Sequence, residues 1–254
     1  MLNKNSIKKN RCVVISQPMY FPWIGMLEQI KLCDAFVYYD DVQFSRGFFN
    51  RVQVKTLHGV KWLTVPLSDF HRGQLICDVK IDNSVNWKKN HLDILKSSYL
   101  NAPYCNEMLE VIGEVFSNHY EYIADLAIAS TEVLLRYYSE ISKNVDFYQS
   151  SELDVLGKSS QRLIDLSLKL KASHYLTGHG AKKYLDHKSF NASDIDVDYI
   201  DYELDIYPQM NGAFTPYVSS LDLIANCGKS GRKHIKGKLV DWNVFLEREY
   251  NIEN

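Results

Sequence analysis

Apolar and polar positions follow two rhythms along the chain, and the change from one to the other marks the elements. Cys12-Val13-Val14-Ile15 is a short β-rich run that stops at Gln17-Pro18, because proline lacks a ladder donor and restricts the residue before it. Met19 to Trp23 form a loop closed by Pro22. Across 24–31, Ile24, Leu27 and Ile30 recur at helical spacing. Ala35-Phe36-Val37-Tyr38-Tyr39 then reads as a buried strand ending in Asp40-Asp41. Strand, loop, helix and strand in so short a span require a parallel crossover, the opening of an α/β sheet.

The texture then changes. Runs at 51–56 and 60–66 flank Leu57-His58-Gly59 as a hairpin, and 76–81 reads as a further strand. From Trp87 to about Tyr138 the pattern is helical, interrupted at Ala102-Pro103. Residues 159–170 form an amphipathic helix through Leu163, Ile164, Leu166 and Leu170. A strand at 173–177 runs into Gly178-His179-Gly180, followed by a helix over 181–185. Residues 195–202 alternate as a strand, and 219–226 form a helix that ends at Cys227-Gly228, where glycine suits a C-cap. The reading is a flexible basic tail at 1–11 (Lys4, Lys8, Lys9, Arg11) and a single α/β domain over 12–254, with a helical insertion at about 86–140.

Composition narrows the function classes. A hydrophobic share of 46% with 24% charged residues excludes bulk disorder. No apolar run nears the ~20 residues of a membrane span, and no apolar segment follows MLNKNSIKKN, so neither a span nor a secretory signal is expected. Lys and Arg number 29 against 31 Asp and Glu, and a net charge of −2 argues against a nucleic-acid partner. The five cysteines are odd in number, widely spaced and free of C-x-x-C, which suits reduced thiols in a cytoplasmic protein. Tyr outnumbers Phe, 17 to 11, as suits a cleft with apolar walls and polar rims.

Four clusters can carry chemistry. The first, 17–25, lies between the first strand and first helix, where open α/β sheets bind ligands. Gln17, Tyr20 and Trp23 are its candidate contacts, and without a glycine fingerprint it is not a standard dinucleotide site. The second follows the second strand. Its paired Asp40 and Asp41 can hold a cation, orient an amine or act as acid and base, or simply form a turn. Gln43, Asn50 and Arg51 stand beside them to meet an anion or a sugar hydroxyl. The third is the 175–185 stretch, where Gly178 and Gly180 can cradle an anion, His179 is a candidate base and Tyr184 lies near. The fourth comprises Gln209, Asp222 and Cys227. Ser219 reads as an N-cap with Asp222 at N3, and Cys227 is either a nucleophile or a buried thiol. The 228–233 run GKSGRK lacks the first glycine of a P-loop, whose place Leu223 holds. His91, near the start of the long helical stretch, either sits on an amphipathic face or points into the cleft. No histidines show metal-ligand spacing, so no metal site is expected.

Taken together, Q-P-M-Y-F-P-W-I-G (17–25), F-V-Y-Y-D-D-V-Q-F (36–44), N-R (50–51), W-L-T-V-P-L (62–67), W-K-K-N-H (87–91), Y-L-N-A-P-Y (99–104), Y-L-T-G-H-G-A-K-K-Y-L (175–185), Y-P-Q (207–209) and S-S-L-D-L-I-A-N-C-G (219–228) resemble the WbqC-like family over about residues 12–235. The resemblance implies a cytoplasmic enzyme of bacterial O-antigen and lipopolysaccharide biosynthesis. Its reaction would be acyl or aminoacyl transfer, with glycyl the proposed case, to the amine of a nucleotide-linked 4-amino-4,6-dideoxysugar. His179 departs from the two small residues that the resemblance implies at the 178–180 loop.

The opening βα loop, strand and D-D-V-Q-F are also similar to pantothenate synthetase and other nucleotidylyltransferase-like enzymes, which implies a Rossmann-like parallel sheet. The H-x-G-H signature of those enzymes is absent, with Tyr20 to Gly25 in its place. On this reading the acceptor is a dTDP- or UDP-linked amino sugar and the donor an acyl-carrier or CoA-type thioester. Asp40 or Asp41 meets the amine, His179 or His91 is the base, and the Gly178–Gly180 loop holds an oxyanion or phosphate. Tyr20 and Trp23 stack on the nucleotide base or line the sugar pocket, and Arg51 meets the pyrophosphate. Two alternatives stay open: a non-catalytic sugar-nucleotide or carrier-protein binding module, and an ATP-using nucleotidylyltransferase that requires Mg²⁺.

Overall fold

The computed structural model of the protein describes residues 11–45, 47–202 and 204–253. The basic tail expected at 1–11 lies outside these residues except for Arg11, whose guanidinium pairs with Asp146. The chain begins with β1 (Cys12–Ser16), α1 (Ile24–Leu32) and β2 (Ala35–Tyr38). An excursion of more than a hundred residues follows. It holds the hairpin β3 (Arg51–Thr56) and β4 (Gly59–Thr64), the two-residue strands β5 (Leu67–Ser68) and β6 (Lys80–Ile81), and the helices α2 (Trp87–Tyr99), α3 (Cys105–Phe116) and α4 (Ile123–Tyr137). The chain then returns through β7 (Asp146–Gln149), α5 (Ser159–Lys169), β8 (His174–Thr177), α6 (His187–Ala192), β9 (Asp196–Tyr202), α7 (Ser220–Cys227), β10 (Gly237–Asp241) and α8 (Trp242–Glu253).

Six strands form one sheet in the order β10-β9-β8-β1-β2-β7. All neighbours are parallel except β10, which runs antiparallel to β9. Side chains alternate between two apolar layers, as the pleat requires. Val14, Phe36, Leu176 and Ile200 face a core shared with α1 to α4 and α7. Val13, Ile15, Val37, Tyr175, Val197 and Tyr199 face a second core with α5, α6 and α8. Burial on both faces is why β1 and β2 read as near-continuous apolar runs. The chain builds outward from β1 to β2 and β7, then crosses back to place β8 on the other side of β1. That reversal opens a crevice at the carboxyl ends of β1 and β8.

Several local expectations change. The 76–81 strand is a 3-10 turn, Ile76–Asp78, followed by β6. Its backbone N–H groups go to Val42 and Asp40 carbonyls in the loop after β2, not to a long ladder. The 87–138 stretch breaks twice, at Ala102-Pro103 as expected and again at 117–122. The 181–185 helix is a 3-10 helix, His179–Lys183, and the α-helix follows it as α6, capped by Asp186 accepting from the Ser189 amide. The strands β7 and β10 and the helix α8 were not legible. β7 has only Phe147 and Tyr148 as apolar residues and lies at the sheet edge. Among the described residues no helix is long and apolar enough to cross a membrane.

Candidate active site

The crevice at the strand-order reversal is a cavity of about 1000 Å³. Ser16 at the carboxyl end of β1 and Gln17 just past it face the cavity, the loop after β2 contributes Tyr39, Asp41 and Gln43, and the end of β8 with the loop after it contributes Thr177 to Ala181. One wall is aromatic. Trp23 lies 4.9 Å from the Tyr202 ring and 5.6 Å from Tyr217, and Gln29 Nε2 donates to the Tyr202 hydroxyl at 2.8 Å. The 17–23 loop is fastened from beneath. Phe21, at φ 40°, donates its amide to Ser130 Oγ of α4 at 2.8 Å. Ser219 and Ser220 donate their hydroxyls to the Phe21 and Pro22 carbonyls. Gly25 has to be glycine, because a Cβ there would fall 2.3 Å from the Trp23 indole.

The paired carboxylates divide. Asp40 is buried and bound by hydrogen bonds from Ser150 Oγ at 3.0 Å, the Ser151 amide at 3.0 Å and Ser151 Oγ at 2.7 Å. It ties the end of β2 to the turn after β7, and it does not line the cleft. Asp41 does. Its Oδ2 pairs with Arg162 of α5, and Ser150 Oγ lies 2.5 Å from its Oδ1. Arg162 also donates through Nε to the Val155 carbonyl at 3.0 Å, and its guanidinium carbon lies 5.0 Å from the Tyr39 ring centroid.

On the other side of β1, His179 lies at the cleft with its Nε2 3.0 Å from the Ile200 carbonyl. A carbonyl only accepts, so Nε2 carries a proton, and Nδ1 is the ring nitrogen at which a further proton can be taken up. Phe245 and Tyr202 hold the ring, at 4.8 and 5.2 Å. A Cβ on Gly178 would fall 2.8 Å from the Tyr202 hydroxyl, whereas one on Gly180 meets nothing within 4 Å. Tyr184 also lines the cavity.

Other expected residues are placed elsewhere. Tyr20 and His91 are buried partners, with the tyrosine hydroxyl 3.0 Å from Nδ1 and the Thr64 carbonyl 3.2 Å from Nε2. Burial holds the imidazole neutral, pulling its pKa down to about 4, so His91 acts as a structural crosslink between the 17–23 loop and β4. Asn50 closes the hairpin by donating to the Val65 carbonyl at 3.0 Å. Arg51 stacks on Trp62 of the same hairpin at 4.3 Å and does not reach the cleft. Ser219 does cap α7 by accepting from the Leu221 amide, but its own N–H goes to the Gln53 carbonyl. The Asp222 carboxylate does not complete a capping box. It takes Tyr99 at 2.7 Å, Tyr207 at 2.8 Å and Gln209 at 2.8 Å in a buried network. Cys227 is buried at the end of α7, and burial with the nearby Asp222 pushes its thiol pKa up, the opposite of what a nucleophile needs. The GKSGRK run forms a 3-10 turn away from the cleft.

The cleft also holds residues that the sequence reading passed over: Lys158, Ser159, Arg162, Tyr202 and Tyr217. One signal was available. Gly157-Lys158 stands directly before an amphipathic helix that opens at Ser159, with Arg162 one turn in, but nothing local to that stretch brings it to β1. Among the described residues no group of three or more His, Cys, Asp or Glu side chains is gathered as a metal site.

The matching family model is the WbqC-like protein family, over residues 17–234. The chain belongs to the WbqC-like family. It is 30% identical over 229 residues to the uncharacterized protein Rv1507c of Mycobacterium tuberculosis, an alignment that covers 88% of this chain and 97% of that protein. No solved structure matches it. The family span begins at Gln17, the first residue after β1, and ends at His234, so it takes in every cleft residue named above except Ser16.

Proposed function

We propose that this WbqC-like protein transfers an acyl or aminoacyl group to the amine of a nucleotide-linked amino sugar in bacterial surface-polysaccharide biosynthesis, in a Rossmann-like fold. The observation that carries the reading is that Asp41 and His179 reach one cavity from the two sides of β1, while Asp40, His91 and Cys227 are buried outside it. Seen from β7 to β10, the sheet strands follow the chain order 3-2-1-4-5-6, which supports the Rossmann-like comparison.

The roles follow from the chemistry. A sugar amine is protonated near neutral pH and is no nucleophile until the proton leaves. Asp41 orients the ammonium and His179 Nδ1 accepts its proton. That proton passes to solvent, and the neutral amine nitrogen bonds to the carbonyl carbon of a thioester donor. The imidazole takes the second proton that the nitrogen sheds, the C–S bond breaks, and the imidazolium gives this proton to the departing thiolate, leaving a neutral amide. Gly180, beside which nothing lies within 4 Å of a Cβ position, leaves room for the developing oxyanion to approach the backbone of the 178–180 loop. Trp23 and Tyr217 offer faces for the nucleotide base. Cys227, the candidate nucleophile, is buried outside the cleft, and the transfer is therefore read as direct.

The test is a thermal-shift panel of dTDP- and UDP-linked amino sugars, ATP with Mg²⁺, and acyl thioesters, followed by mass spectrometry of the hits. A ligand at ~100 times its Kd stabilises the fold by about 2.7 kcal/mol. Stabilisation by an amino-sugar nucleotide, and a gain of the acyl mass on that sugar once thioester is added, is the expected result. Stabilisation by ATP and Mg²⁺ alone, with release of pyrophosphate, would overturn it in favour of nucleotidyl transfer. Binding of the sugar without turnover would reduce the protein to a binding module.

A further inference from the structure

We propose that Lys158, Ser159 and Arg162 form a diphosphate subsite on the cleft wall, so that the ligand's phosphates lie against α5 and not against the hairpin that carries Arg51. The proposal rests on the reading of the cavity as a sugar-nucleotide site and assigns its anion-binding residues. Among the described residues that line the cavity, those with formal charge are Asp41, Lys158 and Arg162. Asp41 and Arg162 neutralise one another in their ion pair, and Lys158 leaves the wall with a surplus positive charge. No described carboxylate pairs with Lys158.

Arg162 is built for a fixed ligand. Its side chain is 7% exposed, yet it borders the cavity. The Val155 carbonyl, Asp41 and the Tyr39 ring hold the guanidinium plane from three directions. A guanidinium has five N–H donors, more than these contacts use, and its fork matches phosphate oxygens. Ser159 adds a hydroxyl beside it on the same wall.

The ion pair also sets specificity. It presents a cation and an anion side by side, which complements a ligand bearing a phosphate and an ammonium on one sugar ring. A sugar nucleotide with a hydroxyl in place of the amine offers Asp41 no cation beyond Arg162. Arg51, stacked on Trp62 outside the cavity, makes neither contact.

The experiment measures binding of two probes by calorimetry at low and high salt. The probes are inorganic pyrophosphate and a UDP-linked amino sugar, and the proteins are wild type, Lys158→Gln, Arg162→Lys and the charge-matched surface control Lys143→Gln. Lys158 is exposed, so its variant keeps the subsite testable should Arg162→Lys fold poorly. The expected result is that pyrophosphate binds wild type and Lys143→Gln alike, weakens with salt, and loses about tenfold in affinity in Lys158→Gln. Sugar-nucleotide binding unchanged in Lys158→Gln and Arg162→Lys would overturn the subsite and leave the transferase reading standing. Pyrophosphate binding that depends on Lys158, with no binding of amino-sugar nucleotides, would support the subsite and overturn the transferase reading. No pyrophosphate binding to wild type would overturn the subsite.

Discussion

Arg162 of α5 closes its guanidinium onto Asp41, in the loop that follows β2, across 121 residues of sequence. The pair joins the two ends of the long excursion: α5 enters the sheet's second half, and Asp41 leaves its first. Chemistry and architecture therefore meet at one carboxylate, and substitutions at Asp41 and at its neighbour Asp40 have different consequences.

Asp41→Asn keeps the shape and the Ser150 contact but removes the charge. Turnover falls below detection, while stability drops by about 1–2 kcal/mol from the weakened ion pair. Asp40→Ala leaves the buried Ser150 hydroxyl and the Ser151 groups beside it without their acceptor and costs about 2–4 kcal/mol. Urea melts beside initial rates separate the two. Equal stability losses would show that Asp41 is only structural.

His179→Asn lowers the transfer rate by about a hundredfold or more with substrate binding largely retained, the signature of a lost general base. The rate is read from the acylated sugar by mass spectrometry. An unchanged rate would remove His179 from the mechanism.

Gly178→Ala places a methyl group 2.8 Å from the Tyr202 hydroxyl, so the ring must shift and its bond to Gln29 is lost. The expected outcome is a raised KM with intact folding. Gly113→Ala, at a helical position where a Cβ meets nothing within 4 Å, adds about 0.5–1 kcal/mol of stability and leaves KM alone. Steady-state kinetics on both variants make the comparison.

Acid sensitivity follows from His91. Its folded-state pKa is depressed to about 4, while the unfolded chain titrates near 6.5. Between those values the unfolded chain binds a proton that the folded protein refuses. Stability is therefore full above about pH 6.5 and falls as the pH drops toward 4, by roughly 2 kcal/mol between pH 7.5 and 5. His91→Gln flattens that window, as urea midpoints at the two pH values would show. An undiminished slope would locate the sensitivity elsewhere.

Cys227→Ser remains active, and intact-mass spectra after incubation with a thioester show no acyl adduct that depends on this residue. Its thiol is buried and its pKa raised by burial and by Asp222, so little thiolate forms near neutral pH.

The sequence by itself determined the βαβ opening, the β3–β4 hairpin, the helical character of the excursion and the β8 strand with its glycine loop. Each is a local matter of apolar period, proline and glycine. It also brought Gln17, Trp23, Asp41, Gln43, Gly178, His179, Gly180 and Tyr184 forward as candidates, since residues just past parallel strands lie where such sheets bind ligands. Only the tertiary structure decided between Asp40 and Asp41, because adjacent residues point to different surroundings and Ser150 and Ser151 come from 110 residues away. It removed Tyr20, His91, Asn50, Arg51, Gln209, Asp222 and Cys227 from the cleft, since a polar side chain reads the same in sequence whether it meets a ligand or satisfies a buried partner. It added Lys158 and Arg162, because the strand order that carries β7 and α5 back beside β1 depends on pairing between distant segments, which no local pattern encodes.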